Sequence, residues 1–489
     1  MSLSTMTRMG VSLDELFPQA VRTGAGDVRV TSCTSDWREI EPGDVFFALD
    51  DLAGDGHEHA RRAVSCGATA VVCERPVPVF DVPTYLVPDS RVALGELCHA
   101  LVADPTCSLP TIGVAGTLGK STTLAVLNAI FSQAGKHCGT ISSWGCYDGM
   151  AHSAGISDVP TSPALASRLA RMAAAGCTHA LVEVSSRMLS QARLAGMQLE
   201  AACVTNVTTA DLDWYNSIQS YRDAQRRILD YLSPSAVTIL NADDPVSLGW
   251  LDRVSGPVLT YGLGEQAEIT ARIVERHANE QLFVLTAGSE SAAVRTTIVG
   301  EHHVSNCLAA AALSLSFGID LQEIAAGIEA VRCLPSCMEP VDCGQGFPVY
   351  LDAADTPESL RASLRTARQL AHGRVICVLG DSCHGSPAAN HAVSHVVHRL
   401  ADLAISSRPL PSTNDGWASN SADLNVVADR GEAIAWAVSI AEPGDVVVIA
   451  GSRPCPQGGF GARDAAVDDR EITRQVLHAR YEAPLRLVA

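Results

Sequence analysis

Short apolar runs separated by polar turns recur along the whole chain, and their lengths predict alternating strands and helices. Near the N-terminus, residues 28–30, 44–49 and 68–73 form short apolar runs and are predicted as strands. Residues 58–66, just before the last of these runs, are predicted as a helix. The first hundred or so residues are therefore expected to form a small α/β unit.

A second series of elements begins with a strand, a glycine-containing loop and a helix. The strand is predicted over residues 111–115 and the helix over about 121–134. Such alternation of strands and helices is typical of a doubly wound sheet. The later elements predicted in this segment are strands at 180–184, 202–206 and 236–240 and a helix at 304–317.

A third α/β segment begins near residue 334. Its apolar runs at 348–352, 375–380 and 445–451 are predicted as strands, and residues 408–424, rich in Pro, Ser and Asn, as an irregular loop. Residues 103–110 contain two prolines and no periodic pattern, as expected of a linker. We therefore predict three domains, over residues 1–108, 109–333 and 334–489.

Composition narrows the function classes. The chain has 489 residues and a formal net charge of −19, which argues against non-specific binding to nucleic acid or to a membrane surface. No apolar stretch is long enough to cross a membrane, and the N-terminus lacks the apolar segment of a secretory signal. The 16 cysteines include no C-x-x-C pair, which favours reduced thiols, and we expect a cytoplasmic protein, most simply a monomer.

The loop at residues 116–121, GTLGKS, carries the candidate chemistry. Glycines allow backbone N–H groups to surround phosphate oxygens, a helix N-terminus adds positive potential, and a lysine reaches the outer phosphates. The longer phosphate-loop pattern would require glycine where Val114 stands, so a structural glycine turn is the alternative. The strand before the loop and the helix after it favour phosphate binding.

The segment GVAGTLGKSTTLAVLNAIFSQAGKHCGTI resembles the ATP loop and following helix of the Mur ligases. The similarity continues in order along the chain. TSDWREIEPGDVFFAL is similar to the N-terminal nucleotide-sugar domain of the MurE-type members of the family. Further counterparts are PTSP at 160–163, EVSS at 183–186, NADD at 241–244, GEHHVSN at 300–306 and LDAADTP at 351–357.

The resemblance implies the three-domain Mur ligase architecture, with a central ATP-binding domain between a nucleotide-sugar domain and a C-terminal Rossmann-like domain. It also implies a reaction. Mur ligases use ATP and Mg²⁺ to phosphorylate the terminal carboxylate of a UDP-N-acetylmuramoyl peptide, and an amino acid then attacks the acyl phosphate to form an amide. The expected products are the extended peptide, ADP and phosphate.

The resemblance also assigns roles to individual residues. Lys120 and Glu183 would be catalytic, and Ser121 and Glu183 would hold Mg²⁺. Asn306 would contact the adenine and Asp352 the ribose. The implied phosphate contacts are Gly116, Thr117, Leu118, Gly119, Lys120, Ser121 and Thr122, and the implied substrate contacts are Thr161, Ser162, Ser185, Gln191 and Arg193. Taken singly, Glu183 as a solvated strand end, Arg193 as a surface charge and Asn306 as a helix cap are the alternatives.

The chain departs from the family pattern mainly at chemical positions. Arg187 replaces a histidine that helps to bind metal, and Gln225 replaces a lysine that the family carbamylates to support a metal. Gln225 cannot be carbamylated and offers only a neutral oxygen. The other departures are Trp37, TADLD at 209–213, His303, Cys337, Asp355, SRPL at 407–410 and GSRPC at 451–455.

Two functions remain after this comparison, together with a weaker third. The first is an ATP-dependent amide ligase that has diverged. The second is a catalytically impaired binding or scaffold protein that keeps the fold and a nucleotide site, favoured by the joint changes at Arg187, Asp211, Gln225 and Cys337. A generic phosphate-loop NTPase ignores the similarity on both sides of the central segment.

Overall fold

Three sheets follow one another along the chain. The computed structural model describes residues 10–24, 26–51, 54–154, 160–208, 214–264, 266–380, 383, 386–410, 423–451 and 468–481. Within these residues the first sheet lies between Val21 and Leu86, the second between Thr111 and Thr296, and the third between Glu339 and Ala450. The boundaries at 108 and 333 stay predictions, although each sheet lies wholly within one predicted domain.

The N-terminal sheet has five strands with a parallel core. In spatial order they are Val21–Thr23, Thr84–Leu86, Ala70–Cys73, Val45–Phe47 and Cys33–Thr34. The helices of this region are Leu13–Leu16, Ala60–Ser65 and Ser90–Ala100, and the short strand pairs are Val11–Ser12 with Arg29–Val30 and Asp50–Asp51 with Gly54–Asp55. The segment predicted as one helix over 58–66 begins with a 3-10 turn, Gly56–His59.

The central sheet has eleven strands. In spatial order they are His152–Ala154, Gly145–Tyr147, Cys138–Ser142, His179–Glu183, Thr111–Ala115, Leu199–Val204, Leu232–Asn241, Val258–Gly262, Ile269–Arg276, Gln281–Ala287 and Glu290–Thr296. The strands from Cys138–Ser142 to Ile269–Arg276 run parallel, and those at both ends are antiparallel. Parallel strands need crossover connections, which accounts for the intervening helices.

Helices cover both faces of the central sheet, as a doubly wound sheet requires. One face packs against Lys120–Gln133, Glu301–Ser316 and Leu321–Ala330. The other packs against Ser162–Ala174, Ser186–Ser190 and Ile218–Arg226. Leu124, Leu127 and Phe131 are buried at helical spacing, so they anchor the helix that follows the glycine loop. The remaining short helix is Pro245–Leu248.

The C-terminal sheet has six strands. In spatial order they are Glu339–Pro340, Val349–Asp352, Val446–Ala450, Val375–Leu379, Leu403–Ser406 and Asp423–Val426. Only the first pair is antiparallel. The helices are Pro357–Leu370, Pro387–Leu400, Arg430–Ile440 and Asp469–Tyr481. Among all the described residues, no helix is both long and apolar enough to span a lipid bilayer.

The loop helix Lys120–Gln133 is held by a very close helix–helix contact. A methyl group on Gly327 would lie 2.4 Å from the Cα of Ile130. We expect Gly327→Ala to lower the free energy of unfolding by about 1–3 kcal/mol, because overpacking a backbone contact outweighs the gain in helix propensity. Gln322→Ala, exposed on the same helix, should change it by less than about 0.5 kcal/mol in the same urea titration. A Gly327→Ala protein as stable as the wild type would contradict this packing.

Candidate active site

The two glycines of the loop pack against neighbouring residues that leave no space for a side chain. Gly116 has φ +128° and Gly119 has φ +85°, a region that favours glycine. A methyl group at Gly116 would lie 2.1 Å from the Oγ1 of Thr205, and one at Gly119 would lie 2.2 Å from the Oδ1 of Asn306. Both glycines are therefore required by the surroundings of the loop as well as by its own conformation.

Two residues to which the sequence analysis gave no role hold the middle of the loop. The amide of Asn206 accepts a hydrogen bond from the N–H of Leu118 at 3.0 Å and donates one to its carbonyl at 3.0 Å. Thr205 also donates to the Leu118 carbonyl, at 2.7 Å. Both residues follow strand Leu199–Val204 at its carboxyl end, where ligands of open α/β sheets bind, and this position was the available signal.

Lys120 folds back over the loop. Its Nζ donates to the carbonyls of Gly116 at 3.0 Å and Thr117 at 2.8 Å. The helix that Lys120 begins has no side-chain cap, since its N-cap residue is Gly119. The first N–H groups of this helix and the ammonium group therefore share one end of the loop, an arrangement suited to an anion.

The two residues implied as Mg²⁺ ligands lie in direct contact. The Ser121 hydroxyl donates to the Oε2 of Glu183 at 2.9 Å. Ser143, which the sequence analysis did not single out, donates to the same oxygen from its backbone N–H at 2.9 Å and from its hydroxyl at 3.2 Å. These are hard oxygen donors beside the loop, as Mg²⁺ prefers.

A buried chain of hydrogen bonds reaches the loop from helix Ile218–Arg226. The Nε2 of Gln225 donates to the hydroxyl of Tyr221 at 2.9 Å, and this hydroxyl lies 2.6 Å from the Oγ1 of Thr117. The backbone N–H of Thr208 also donates to Thr117 Oγ1, at 2.9 Å. Thr117 is thus joined to two neighbouring segments of the central domain.

Helix Glu301–Ser316 brings Asn306 against the loop at Gly119. His303 lies one turn earlier on the same helix, and its two ring nitrogens have no hydrogen-bond partner among the described residues. Burial lowers the pKa of His302 to about 4 and that of His303 well below its ordinary value, so both rings are neutral near pH 7.

The C-terminal domain contributes Asp352 and Cys337. Cys337 contacts the loop helix, and Asp352 is bonded to the residue that follows Cys337. The Asp352 carboxylate accepts hydrogen bonds from the N–H groups of Met338 at 2.8 Å and Ala354 at 2.9 Å. Burial raises its pKa to about 6. The Sγ of Cys337 lies 3.7 Å from the Oγ1 of Thr122, and burial raises the pKa of this thiol to about 12. Cys337 therefore places a neutral thiol beside the loop helix.

Four of the five implied substrate contacts line one cleft. The cleft has a volume of about 570 Å³ and lies between the N-terminal and central domains. Thr161, Ser162, Gln191 and Arg193 line one side, and the N-terminal domain supplies Ser35, Asp36, Glu39, Asp44 and Arg91 among others. Arg193 donates to Gln191 at 2.8 Å. Ser185 is apart from them and caps helix Ser186–Ser190 by accepting from the N–H of Met188 at 3.3 Å.

The altered family positions are only partly within the described residues. Residues 209–213 and 452–455 lie outside them, as does most of the predicted loop at 408–424. Trp37 packs its ring beside His59 and the guanidinium of Arg62. The guanidinium of Arg187 lies 4.5 Å from the ring centroid of Trp214, a cation–π contact.

Comparison with known proteins decides the family. The Mur ligase middle domain model matches residues 114–314, and the Mur ligase glutamate ligase domain model matches residues 338–453. A relative from Geobacillus kaustophilus, UDP-N-acetylmuramoyl-L-alanyl-D-glutamate--2,6-diaminopimelate ligase, is 35% identical over 93% of this chain and 96% of its own length. The chain belongs to the Mur ligase family.

Other Mur ligases agree with this assignment. The Halalkalibacterium halodurans ligase of the same name is 32% identical to this chain over 97% of this chain and over its own entire length. A solved structure of a ligase of that name superposes with a TM-score of 0.69 at 24% identity, covering 91% of this chain and 94% of the other. The structure of Thermotoga maritima MurF in complex with ADP superposes with a TM-score of 0.62 at 17% identity. The match covers 92% of this chain and 98% of the MurF chain. The predicted Mur ligase architecture is confirmed.

The raised pKa of Asp352 predicts a pH-dependent contribution to stability. A carboxyl group that is harder to ionise in the fold than in the unfolded chain costs stability as the pH rises from about 4 through about 6. Relative to Asp352→Asn, the wild type should lose up to about 3 kcal/mol of unfolding free energy between pH 4 and pH 7. Urea unfolding at four pH values measures this difference, and a difference that does not vary with pH would contradict the buried, ionisable Asp352.

Proposed function

We propose that this chain catalyses ATP-dependent formation of an amide bond between a UDP-N-acetylmuramoyl peptide and an amino acid, a step of peptidoglycan precursor synthesis. The observation that carries the proposal is the contact of Ser121 with Glu183 beside the loop that Lys120 closes. This combination joins a phosphate site to a cation site. Relatives about one-third identical over nearly the whole chain are named as ligases of this kind.

The residues present fit ATP and Mg²⁺. Gly116 and Gly119 hold the loop in a conformation that favours glycine, and the helix that follows has no side-chain cap, so its first N–H groups can receive phosphate oxygens. Ser121 and Glu183 would hold Mg²⁺, which would offset negative charge on the phosphates. Lys120 would exchange its contacts with the loop carbonyls for the outer phosphate oxygens, where charge increases during transfer.

The reaction has two steps. A carboxylate oxygen of the peptide attacks the terminal phosphorus and ADP leaves. The amine nitrogen then attacks the acyl carbon, phosphate leaves, and the phosphate takes the proton that the amine loses. Lys120 is positioned to stabilise the first step. Asn306 would contact the adenine from its place against Gly119, and Asp352 the ribose.

The cleft between the N-terminal and central domains is our candidate for the nucleotide-sugar peptide. Arg193 and Arg91 are its cations and suit a diphosphate. Four acids also line it, Asp36, Glu39, Glu41 and Asp44. Asp36 is paired with Arg38 at 2.9 Å, and Asp44 accepts from the N–H of Glu41 at 2.8 Å. Thr161 and Ser162 add hydroxyl groups at the start of helix Ser162–Ala174.

The alternative is a Mur ligase that binds nucleotide but no longer transfers phosphate. The observation that favours it is the loss of charged groups at two positions, Gln225, which is linked to the loop through Tyr221, and Cys337, which lies beside the loop helix. A panel of amino acids with the muramoyl peptide and ATP separates the two functions. Release of ADP above the rate without amino acid supports the ligase, and ATP binding without any release supports the binding protein.

We place the activity in the cytoplasm and in the monomeric chain. The described cysteines carry free thiols, as a reducing compartment maintains.

Lys120 is the first test of the proposal. We expect Lys120→Ala to weaken ATP binding by about 10–100-fold in calorimetry, because a charge-assisted contact to phosphate is lost. Binding of UDP-N-acetylmuramoyl dipeptide should not change. Lys136→Ala is the matched control, since the sequence contains two lysines and Lys136 is exposed after the end of the loop helix. Equal ATP affinity in wild type and Lys120→Ala would rule out the loop as the ATP site.

Arg193 tests the second half of the site. Arg193→Ala should weaken binding of the UDP-N-acetylmuramoyl dipeptide by about tenfold and leave ATP affinity as it is. Arg253→Ala removes an exposed arginine outside the cleft and controls for the change in net charge. Loss of ATP binding together with peptide binding would instead indicate a general structural defect.

A further inference from the structure

We propose that this chain binds one divalent cation with its nucleotide, and that Gln225 and Arg187 replace the second cation that Mur ligases bind. The inference rests on the proposed function, because it concerns the same ATP site. Three features of the structure support it: the donors beside Glu183, the contacts of Gln225 and the position of Arg187.

The donors for one cation are complete. Glu183 offers one carboxylate, Ser121 one hydroxyl, and a bound nucleotide would add phosphate oxygens. Mg²⁺ in nucleotide sites commonly uses one or two carboxylates with phosphates and waters. In the described part of the chain, no three His, Cys, Asp or Glu side chains gather into a further metal-binding group.

The second position has lost its anionic ligand. The chain contains two lysines, Lys120 in the loop and the exposed Lys136, so no lysine is left to carry a carbamate at the site. Gln225 stands at that place with 1% of its surface exposed, and its Nε2 is hydrogen-bonded to Tyr221 at 2.9 Å. Its Oε1 has no partner among the described residues, but it is a neutral oxygen. Gln225 itself would give a dication held there no opposite charge, which is costly in a buried place.

Arg187 adds a fixed positive charge in place of a neutral metal ligand. Its guanidinium is held 4.5 Å from the ring centroid of Trp214. Arg187 lies in helix Ser186–Ser190, which directly follows the strand that ends at Glu183. Like charges repel, so a positive charge at this position disfavours a second cation. The charges also balance. Replacing a carbamate by Gln225 removes one negative charge, and replacing a neutral histidine by Arg187 adds one positive charge. Together these equal the charge of one Mg²⁺.

Hydrogen bonds, rather than a cation, connect Gln225 to the loop. Gln225 is linked through Tyr221 to Thr117, and Thr117 also accepts from the N–H of Thr208 at 2.9 Å. The loop is therefore joined to helix Ile218–Arg226 through neutral side chains. Gln225 acts here as a positioning residue for the loop.

The test counts cations directly. Mn²⁺ bound per protein is measured by electron paramagnetic resonance in the presence of saturating ADP, with ADP binding confirmed in the same sample. We expect one Mn²⁺ in the wild type and in Gln219→Glu, which adds the same charge at an exposed site on helix Ile218–Arg226. We expect two in the double variant Gln225→Glu with Arg187→His. Two bound Mn²⁺ ions in the wild type, or one in the double variant, would overturn the inference.

A double-mutant cycle tests the positioning role. Gln225→Leu and Tyr221→Phe should each weaken ADP binding by about fivefold, and the double variant by about the same factor, because both act through one chain. If the two losses of ADP affinity multiplied in the double variant, Gln225 would not act through Tyr221. If the wild type binds no ADP at all, the proposed function fails first; bound ADP with two cations would refute this inference and leave the function intact.

Discussion

The close packing of neighbouring residues against Gly116 and Gly119 is the constraint on which the rest of the site depends. Neither position has room for even a methyl group, because Thr205 fills the space at one and Asn306 at the other. These contacts fix the loop between a strand end and a distant helix. The N–H groups at the start of the loop helix, Lys120 and Ser121 are therefore presented together.

The order of strands in the central sheet explains why Glu183, Thr205 and Asn206 lie near the loop. Strand Thr111–Ala115 lies between His179–Glu183 and Leu199–Val204, and all three run parallel. Their carboxyl ends meet at one edge, so the loop, Glu183 and the Thr205–Asn206 pair come from distant parts of the sequence to one place. Binding at this edge is a general property of open α/β sheets. The chemistry is thus a consequence of strand order.

Much of this arrangement could be predicted from the sequence, because strands and the loop helix have strong local patterns. The strand predicted over 111–115 has those bounds in the structure. The loop helix was predicted to begin at about residue 121 and begins one residue earlier, at Lys120. Asn206 and Tyr221 received no role, since their importance comes from contacts with residues 88 and 104 positions away. Local patterns carry no information about such pairs. Family resemblance supplied Glu183, but not Ser143, which binds the same oxygen.

The uneven pattern of substitution follows from the same physics. Around Gly116 and Gly119 the constraint is steric, and one added carbon would displace Thr205 at the first position and Asn306 at the second. Around Gln225 and Arg187 the constraint is electrostatic, and charges can be exchanged as long as their sum is kept. Gln225 is isolated from solvent and bonded to Tyr221, so its change is compatible with a packed loop. A Mur ligase can therefore alter its cation site by paired changes of charge while its phosphate loop tolerates almost none.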